Sequence, residues 1–384
     1  MFGLLALILA AAAPAIAAPS YMNRLDPCVS ATATIATPCA VPVRFAPGQA
    51  QALLAGRESL WWLTGDRLTL IGRPGAEGWA MLCCAIQTPL EPIGDTGLAG
   101  ITVRVPRMRE ALIDVVNSQA EMLSPPEVIR GPEAPPAPPR AEPLLGTVVP
   151  LALESDALGE KRVVTIYLPP GIVAGEALPV IYLADGNARG FAPIAEAAVR
   201  DGRAAPAIIV GIDSAHGETT GCRHRPCDRR MLEYMPDSSP DGDGPDTPFG
   251  RHLRFVTDQL IPYVEANYPA SARREDRIVA GYSNGAVWAF ATAALRPDLF
   301  GNVLGMSAGG KGSIDYARRL KDARLFTGAG LFEPNFLRST RARADLARSV
   351  GAEVAFREIV SGHSPAMWDI LFADGIAWLL PPRP

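Results

Sequence analysis

A serine with glycine two positions to either side, Gly281-Tyr282-Ser283-Asn284-Gly285, is the stretch of this sequence best suited to chemistry. The apolar run Arg277 to Ala280 before it has the length of a buried strand, and Ala286 to Ala291 after it reads as the first turns of a buried helix. Glycine at those two offsets lets a chain turn sharply from strand to helix without Cβ clashes. Such a turn lifts the serine hydroxyl clear of the sheet and points the helix N-terminus at a bound carbonyl. Ser283 is therefore the candidate nucleophile, with an ordinary turn serine as the plain alternative.

A serine nucleophile needs a base, and the chain has four histidines. His216 and His224 fall in a polar loop region and His252 precedes the turn. His363 follows the alternating segment Val354 to Val360 and the turn Ser361-Gly362. A histidine on the loop after the last strand can reach a serine at the carboxyl edge of a parallel sheet. Sites built on a strand–turn–helix nucleophile run serine, acid, histidine along the chain. The acid is then expected at Glu333, directly after the strand-like Arg324 to Thr327 and its glycines. Asp322 lies before that strand, and Asp369 belongs to a final helix.

The segments "AGYSNGAVWAFATAALRPDLFGNVLGMSAG", "LFTGAGLFEPNFLRST" and "SGHSPAMWD" resemble the putative-esterase branch of the α/β-hydrolases, with its enterochelin-esterase-like and esterase-D-like proteins. The resemblance runs from about Thr147 to the C-terminus. It implies Ser283 as nucleophile, Glu333 as acid and His363 as base. Arg230-Met231-Leu232-Glu233-Tyr234 is similar to an Arg-x-x-Glu-Tyr segment of that family. Two positions depart from its pattern: Ala286 where a second glycine often follows the turn, and Ser364 where aspartate often follows the histidine.

From Thr147 onward apolar strand-length runs alternate with helical patterns: Arg162 to Leu168, Val180 to Ala184, Ala207 to Ile212, Arg277 to Ala280, Val303 to Met306, Arg324 to Thr327 and Val354 to Ile359, with helices such as Arg251 to Tyr268 and Phe336 to Val350. The alternation predicts an α/β-hydrolase fold, a mostly parallel sheet with helices on both faces, over 147–384. Ahead of it, 18–122 reads as a small all-β, sandwich-like domain with strands at Leu60 to Leu63, Arg67 to Ile71, Trp79 to Ile86 and Ile101 to Val105. Arg107 to Gln119 fits either a helix or a last strand. The Pro-rich 123–146 reads as an extended spacer.

With 384 residues, 48% of them hydrophobic, the chain can build two substantial cores. A formal net charge of −4 gives no global attraction to nucleic acid or anionic membrane. The arginines at Arg223 to Arg225 and Arg338 to Arg348 read as solvated faces. Leu4 to Ala13 followed by Ala15-Ile16-Ala17 predicts a signal peptide over 1–17, hence an exported protein, periplasmic or secreted, with no membrane span after cleavage. Export favours pairing of the six cysteines. Cys28 with Cys39 and Cys222 with Cys227 are the candidate disulfides, and Cys83 and Cys84 are adjacent. A zinc site at Cys222-x-His224-x-x-Cys227 and a calcium loop at Asp237 to Asp246 are the weaker alternatives.

Attack by Ser283 on an ester carbonyl creates an oxyanion that fixed donors must meet. The expected donors are the backbone N–H of Asn284 and, from the turn after Val180 to Ala184, that of Asn187. Trp368 would line the acyl pocket or anchor the last helix. The expected activity is hydrolysis of a small-molecule carboxylic ester, siderophore-type or other, with neither cofactor nor metal. Acyl transfer to another alcohol uses the same residues, and a binding protein with a vestigial site is the reading from another class. Oligomeric state is not encoded in these patterns.

Overall fold

The computed structural model describes residues 24–30, 33–43, 45–75, 81–82, 84–115, 127–173, 175–222, 227–310 and 313–382. The expected signal segment, His224, Cys83 and 116–126 lie outside them. The chain divides into two compact units. One comprises Met1–Cys83, Gln87–Pro106 and Val115–Glu127, and the other Cys84–Ile86, Arg107–Asp114 and Val128–Pro384.

The smaller unit is built on a five-stranded antiparallel sheet in which Ala99–Arg104 pairs with Arg67–Gly72, and that strand with Ser59–Thr64. Helix Pro47–Leu54, which sequence periodicity did not suggest, packs Ala50 and Leu54 against Ile71, Ile93 and Leu98. The ambiguous segment after Arg107, which up to Asp114 belongs to the larger unit, carries a strand at Leu112–Val115.

The larger unit holds an eight-stranded sheet. We label its strands β1 (Thr147–Ser155), β2 (Glu160–Leu168), β3 (Val180–Ala184), β4 (Ile208–Ile212), β5 (Arg277–Tyr282), β6 (Asn302–Met306), β7 (Arg324–Gly330) and β8 (Glu353–Ile359). Their order across the sheet is β1-β2-β4-β3-β5-β6-β7-β8. The first three strands pair antiparallel and the rest parallel, giving the expected α/β-hydrolase sheet. The strands β3 to β6 are buried on both sides, which is why they read as continuous apolar runs rather than alternating ones. Strand β1 was not anticipated. It is an edge strand that contains Pro150, is largely half-exposed, and so lacks the apolar signature of the interior.

Helices cover both faces: α1 (Ala188–Arg200), α2 (Arg229–Tyr234), α3 (Pro248–Arg254), α4 (Ile261–Asn267), α5 (Asn284–Leu295), α6 (Pro334–Ser349) and α7 (Pro365–Leu379). The single helix expected over Arg251 to Tyr268 is interrupted by a π-helical segment at Phe255–Leu260. Pro262, two residues beyond it, has no N–H to continue the ladder, which accounts for the change of pitch. The arginines of α6 are not all solvated as expected. Arg343 is fully buried, donates to Gly310 O (3.1 Å) and Ser313 Oγ (2.8 Å), and lies over the Phe290 ring.

The Pro-rich stretch read as a spacer has its own anchors on this unit. Ala141 N–H donates to Pro193 O (2.9 Å), and the Leu145 and Gly146 amides donate to the Glu196 carboxylate (2.8 and 2.9 Å). Cys28 is joined to Cys39 and Cys222 to Cys227, with Cα–Cα separations of 5.1 and 6.0 Å. Among the described residues no cluster of metal-ligating side chains occurs, and no helix is long and apolar enough to cross a membrane.

Candidate active site

Strand β5 ends at Tyr282 and α5 begins at Asn284, so Ser283 occupies the single-residue turn between them. Its backbone has φ 56° and ψ −126°, a conformation that strains any residue with a Cβ. The Ser283 N–H donates to Met306 O on β6 (2.9 Å), which holds the turn. Both flanking glycines are obligatory here. A Cβ at position 281 would lie 2.3 Å from Gly285 O, and one at 285 would lie 2.8 Å from Ala184 Cβ and 3.1 Å from Asp185 Oδ2.

His363 sits on the loop between β8 and α7. Its Nε2 is 2.9 Å from Ser283 Oγ and its Nδ1 is 2.6 Å from Glu333 Oε2. An ionised carboxylate only accepts, so Nδ1 carries the proton and Nε2 is left to accept from the serine hydroxyl. The histidine loop is tied down by the strand Leu112–Val115: Leu112 N–H donates to Val360 O (2.9 Å), and Ser361 Oγ–H donates to Leu112 O (2.7 Å). Phe336 lies against the imidazole with ring centroids 4.1 Å apart, and Trp368 meets it edge-on at 4.9 Å.

Glu333, at the N-terminus of α6, is 6% exposed. Its Oε1 accepts from Gly330 N–H (2.7 Å) and Ser307 Oγ–H (2.6 Å), which leaves Oε2 for the histidine. The other acids considered are elsewhere: Asp322 precedes β7 at the opposite edge of the sheet, and Asp369 on α7 pairs with Arg140 at 2.6 Å. Of the other described histidines, His216 pairs with Asp213 on the surface. His252 is fully buried between Tyr234 and Trp288, and burial pushes its pKa down to about 4.

The turn after β3 carries two consecutive left-handed residues, Asp185 and Gly186, each with φ 65°. The Asp185 N–H donates to Tyr234 Oη (2.9 Å) and the Gly186 N–H to Ile212 O (2.9 Å). The amides of Asn187 and Asn284 have no protein acceptor among the described residues. The Arg-x-x-Glu-Tyr segment holds this turn. Arg230 grips the Asp185 carboxylate with two nitrogens, Nη2 at 2.8 Å. Glu233 forms a buried bidentate pair with Arg162 (2.7 Å each) and also accepts from Ala215 N–H (2.7 Å).

Ser307, Trp368 Nε1 and Tyr234 Oη were not anticipated as parts of the site. Trp368 donates to Ser307 Oγ at 2.9 Å and stacks on Tyr282 at 4.4 Å, so it serves the site itself as well as the last helix. One sequence signal did exist for Ser307: it follows strand β6 in the same way that Ser283 follows β5.

Comparison with known proteins agrees with this architecture. In sequence, the chain is 24% identical to the uncharacterized protein YbbA of Bacillus subtilis (strain 168) over 159 residues, 40% of this chain and 58% of that protein. The chain thus spans less than two thirds of this relative's length. In structure, it is similar to the ferric enterobactin esterase of Salmonella typhimurium, with a TM-score of 0.62 and 16% identity over 86% of this chain and 98% of that one. It is likewise similar to the enterobactin esterase of Shigella flexneri, with a TM-score of 0.61 and 17% identity over 86% and 97%. The family described as "Putative esterase" matches residues 155–379, more than half of the sequence, and the chain belongs to that family.

Proposed function

We propose that this protein is an exported serine hydrolase that cleaves a carboxylic ester through Ser283, His363 and Glu333. The observation that carries the reading is the unbroken run of hydrogen bonds Ser283 Oγ–His363 Nε2 (2.9 Å) and His363 Nδ1–Glu333 Oε2 (2.6 Å) at the carboxyl edge of the sheet. Membership of an esterase family supports the bond class. The disulfides Cys28–Cys39 and Cys222–Cys227 support an oxidising compartment, periplasmic or extracellular.

In this mechanism His363 Nε2 takes the Ser283 proton as Oγ attacks the ester carbonyl, and the negative charge collects on the former carbonyl oxygen. The Asn284 and Asn187 amides meet that charge. On collapse the C–O bond to the alcohol breaks and His363 protonates the leaving oxygen, leaving an acyl-serine. Water then adds by the same route, releasing the acid and restoring the serine. Glu333 holds the imidazole in the required tautomer throughout.

The test is hydrolysis of a panel of p-nitrophenyl acyl esters and a ferric trilactone siderophore, with fluorophosphonate labelling of the serine. Ser283→Ala should lose several orders of magnitude in turnover and all labelling while keeping its fold. Glu333→Gln should lose roughly 10²–10⁴ in kcat. Full activity in Ser283→Ala would refute the proposal. Preferential acyl transfer to an added alcohol would redirect the product, with the same residues at work.

A further inference from the structure

The acid of the triad has a support of its own that the reaction does not consume. Ser307 stands at the end of β6 in register with the nucleophile: Tyr282 pairs with Met306 across β5 and β6, so Ser283 and Ser307 are the next residues of neighbouring strands. Both take the left-handed region, Ser283 at φ 56° and Ser307 at φ 55°. Each is held there by a backbone bond to the next strand, Ser283 N–H to Met306 O (2.9 Å) and Ser307 N–H to Gly328 O (2.8 Å). A non-glycine residue in this region is unfavourable and persists where its surroundings over-determine it. Ser307 is fully buried.

The donor count at Ser307 allows one arrangement. Trp368 Nε1–H can only donate, so at 2.9 Å its bond occupies an acceptor site on Ser307 Oγ. The carboxylate of Glu333 can only accept, so at 2.6 Å it takes the single hydroxyl proton of Ser307. The hydroxyl rotor is thereby locked with its proton on Glu333 Oε1. That oxygen already receives Gly330 N–H at 2.7 Å, which leaves Oε2 to face His363. Trp368 is in turn fixed by its stack on Tyr282, with planes 17° apart, and by its edge-on contact with His363.

We infer that Ser307 and Trp368 are positioning residues that act in series on the catalytic acid, the indole N–H orienting the Ser307 hydroxyl and that hydroxyl fixing which oxygen Glu333 presents to His363. The inference rests on the Ser283–His363–Glu333 reading above. Deleting the hydroxyl should lower kcat by about 10–100-fold, the worth of one hydrogen bond to a charged group, with KM little changed.

The experiment is a double-mutant cycle on the full chain with a p-nitrophenyl ester. Ser307→Gly is the first variant, because glycine takes φ 55° without strain and removes only the CH₂OH group. Trp368→Phe is the second, keeping an aromatic face and deleting the N–H. Each alone should reduce kcat, Trp368→Phe by roughly 3–10-fold. The double variant should match Ser307→Gly, because the indole acts only through the hydroxyl. Fluorophosphonate labelling of Ser283 should slow in parallel with kcat. Fully additive losses, or a change confined to KM, would mean that Trp368 shapes the substrate pocket and would overturn the series arrangement. Wild-type kcat in both single variants, with Ser283→Ala inactive, would overturn the positioning role while leaving the triad standing. An active Ser283→Ala would remove the triad itself.

Discussion

Asp114, on the strand whose Leu112 is bonded to the histidine loop, offers a pH-dependent test of burial in the larger unit. Its side chain is fully buried, and among the described residues no group closes a hydrogen bond of full geometry on either carboxylate oxygen, the nearby Ser364 hydroxyl included. Burial pushes its pKa up to about 6, with Asp369 adding to the rise while the Ser364 hydroxyl and Arg130 oppose it. The folded value thus lies well above the ordinary carboxylate value near 3.9. A raised acid favours the protonated form in the folded state. The associated stability is complete below about pH 4 and is lost as the pH rises through about 6, with a full span of about 3 kcal/mol. Roughly 2 kcal/mol of that falls between pH 4.5 and pH 8. Asp114→Asn keeps the shape and removes the titration. The buried amide carries its own penalty, but that penalty is the same at both pH values and cancels on comparison. The assay is thermal unfolding of wild type and variant at pH 4.5 and pH 8. The variant's Tm relative to wild type should be higher at pH 8 than at pH 4.5 by roughly 3–4 °C. An equal Tm difference at the two pH values would show that Asp114 is not buried as an uncompensated carboxyl.

Two further outcomes follow from the same geometry. Gly285→Ala would place a Cβ 2.8 Å from Ala184 Cβ and 3.1 Å from Asp185 Oδ2, forcing β3 and its turn away from α5. Its kcat should fall on the order of 10-fold or more through the displaced Asn187 amide, and unchanged kcat would refute that donor. His252 is pushed down to about 4 by burial, so the stability of its neutral form is present above about pH 6.5 and is lost as the pH falls toward 4. His252→Leu should remove about 2–3 kcal/mol of acid destabilisation at pH 4.5, read from denaturant midpoints at pH 4.5 and 7. An unchanged pH dependence would count against the buried, neutral imidazole.

Local sequence was enough for the parts of this site that depend on local geometry. Gly281 and Gly285 announce a turn that only glycine can flank, and the continuous apolar runs of β3 to β6 announce strands buried on both faces. Chain order then ranked Glu333 and His363 ahead of Asp322, Asp369 and the other histidines, because a parallel sheet brings the ends of its strands to one edge. Edge strand β1 was missed since half of it faces solvent, and helix Pro47–Leu54 since its apolar stripe is short. The burial of Arg343 was equally invisible, because an arginine is tolerated inside only when specific carbonyls and a hydroxyl await it. The supports of the site belong to the fold alone. Strand β3 lies beside β5, which sets Asp185 against Gly285. Strand β6 lies between β5 and β7, which places Ser307 between Ser283 and Glu333. Tyr234 reaches the Asp185 amide, and Trp368 reaches Ser307, across long stretches of chain. Such contacts leave no periodic trace in a sequence, since they are made by single polar atoms whose partners are chosen by strand order and not by spacing.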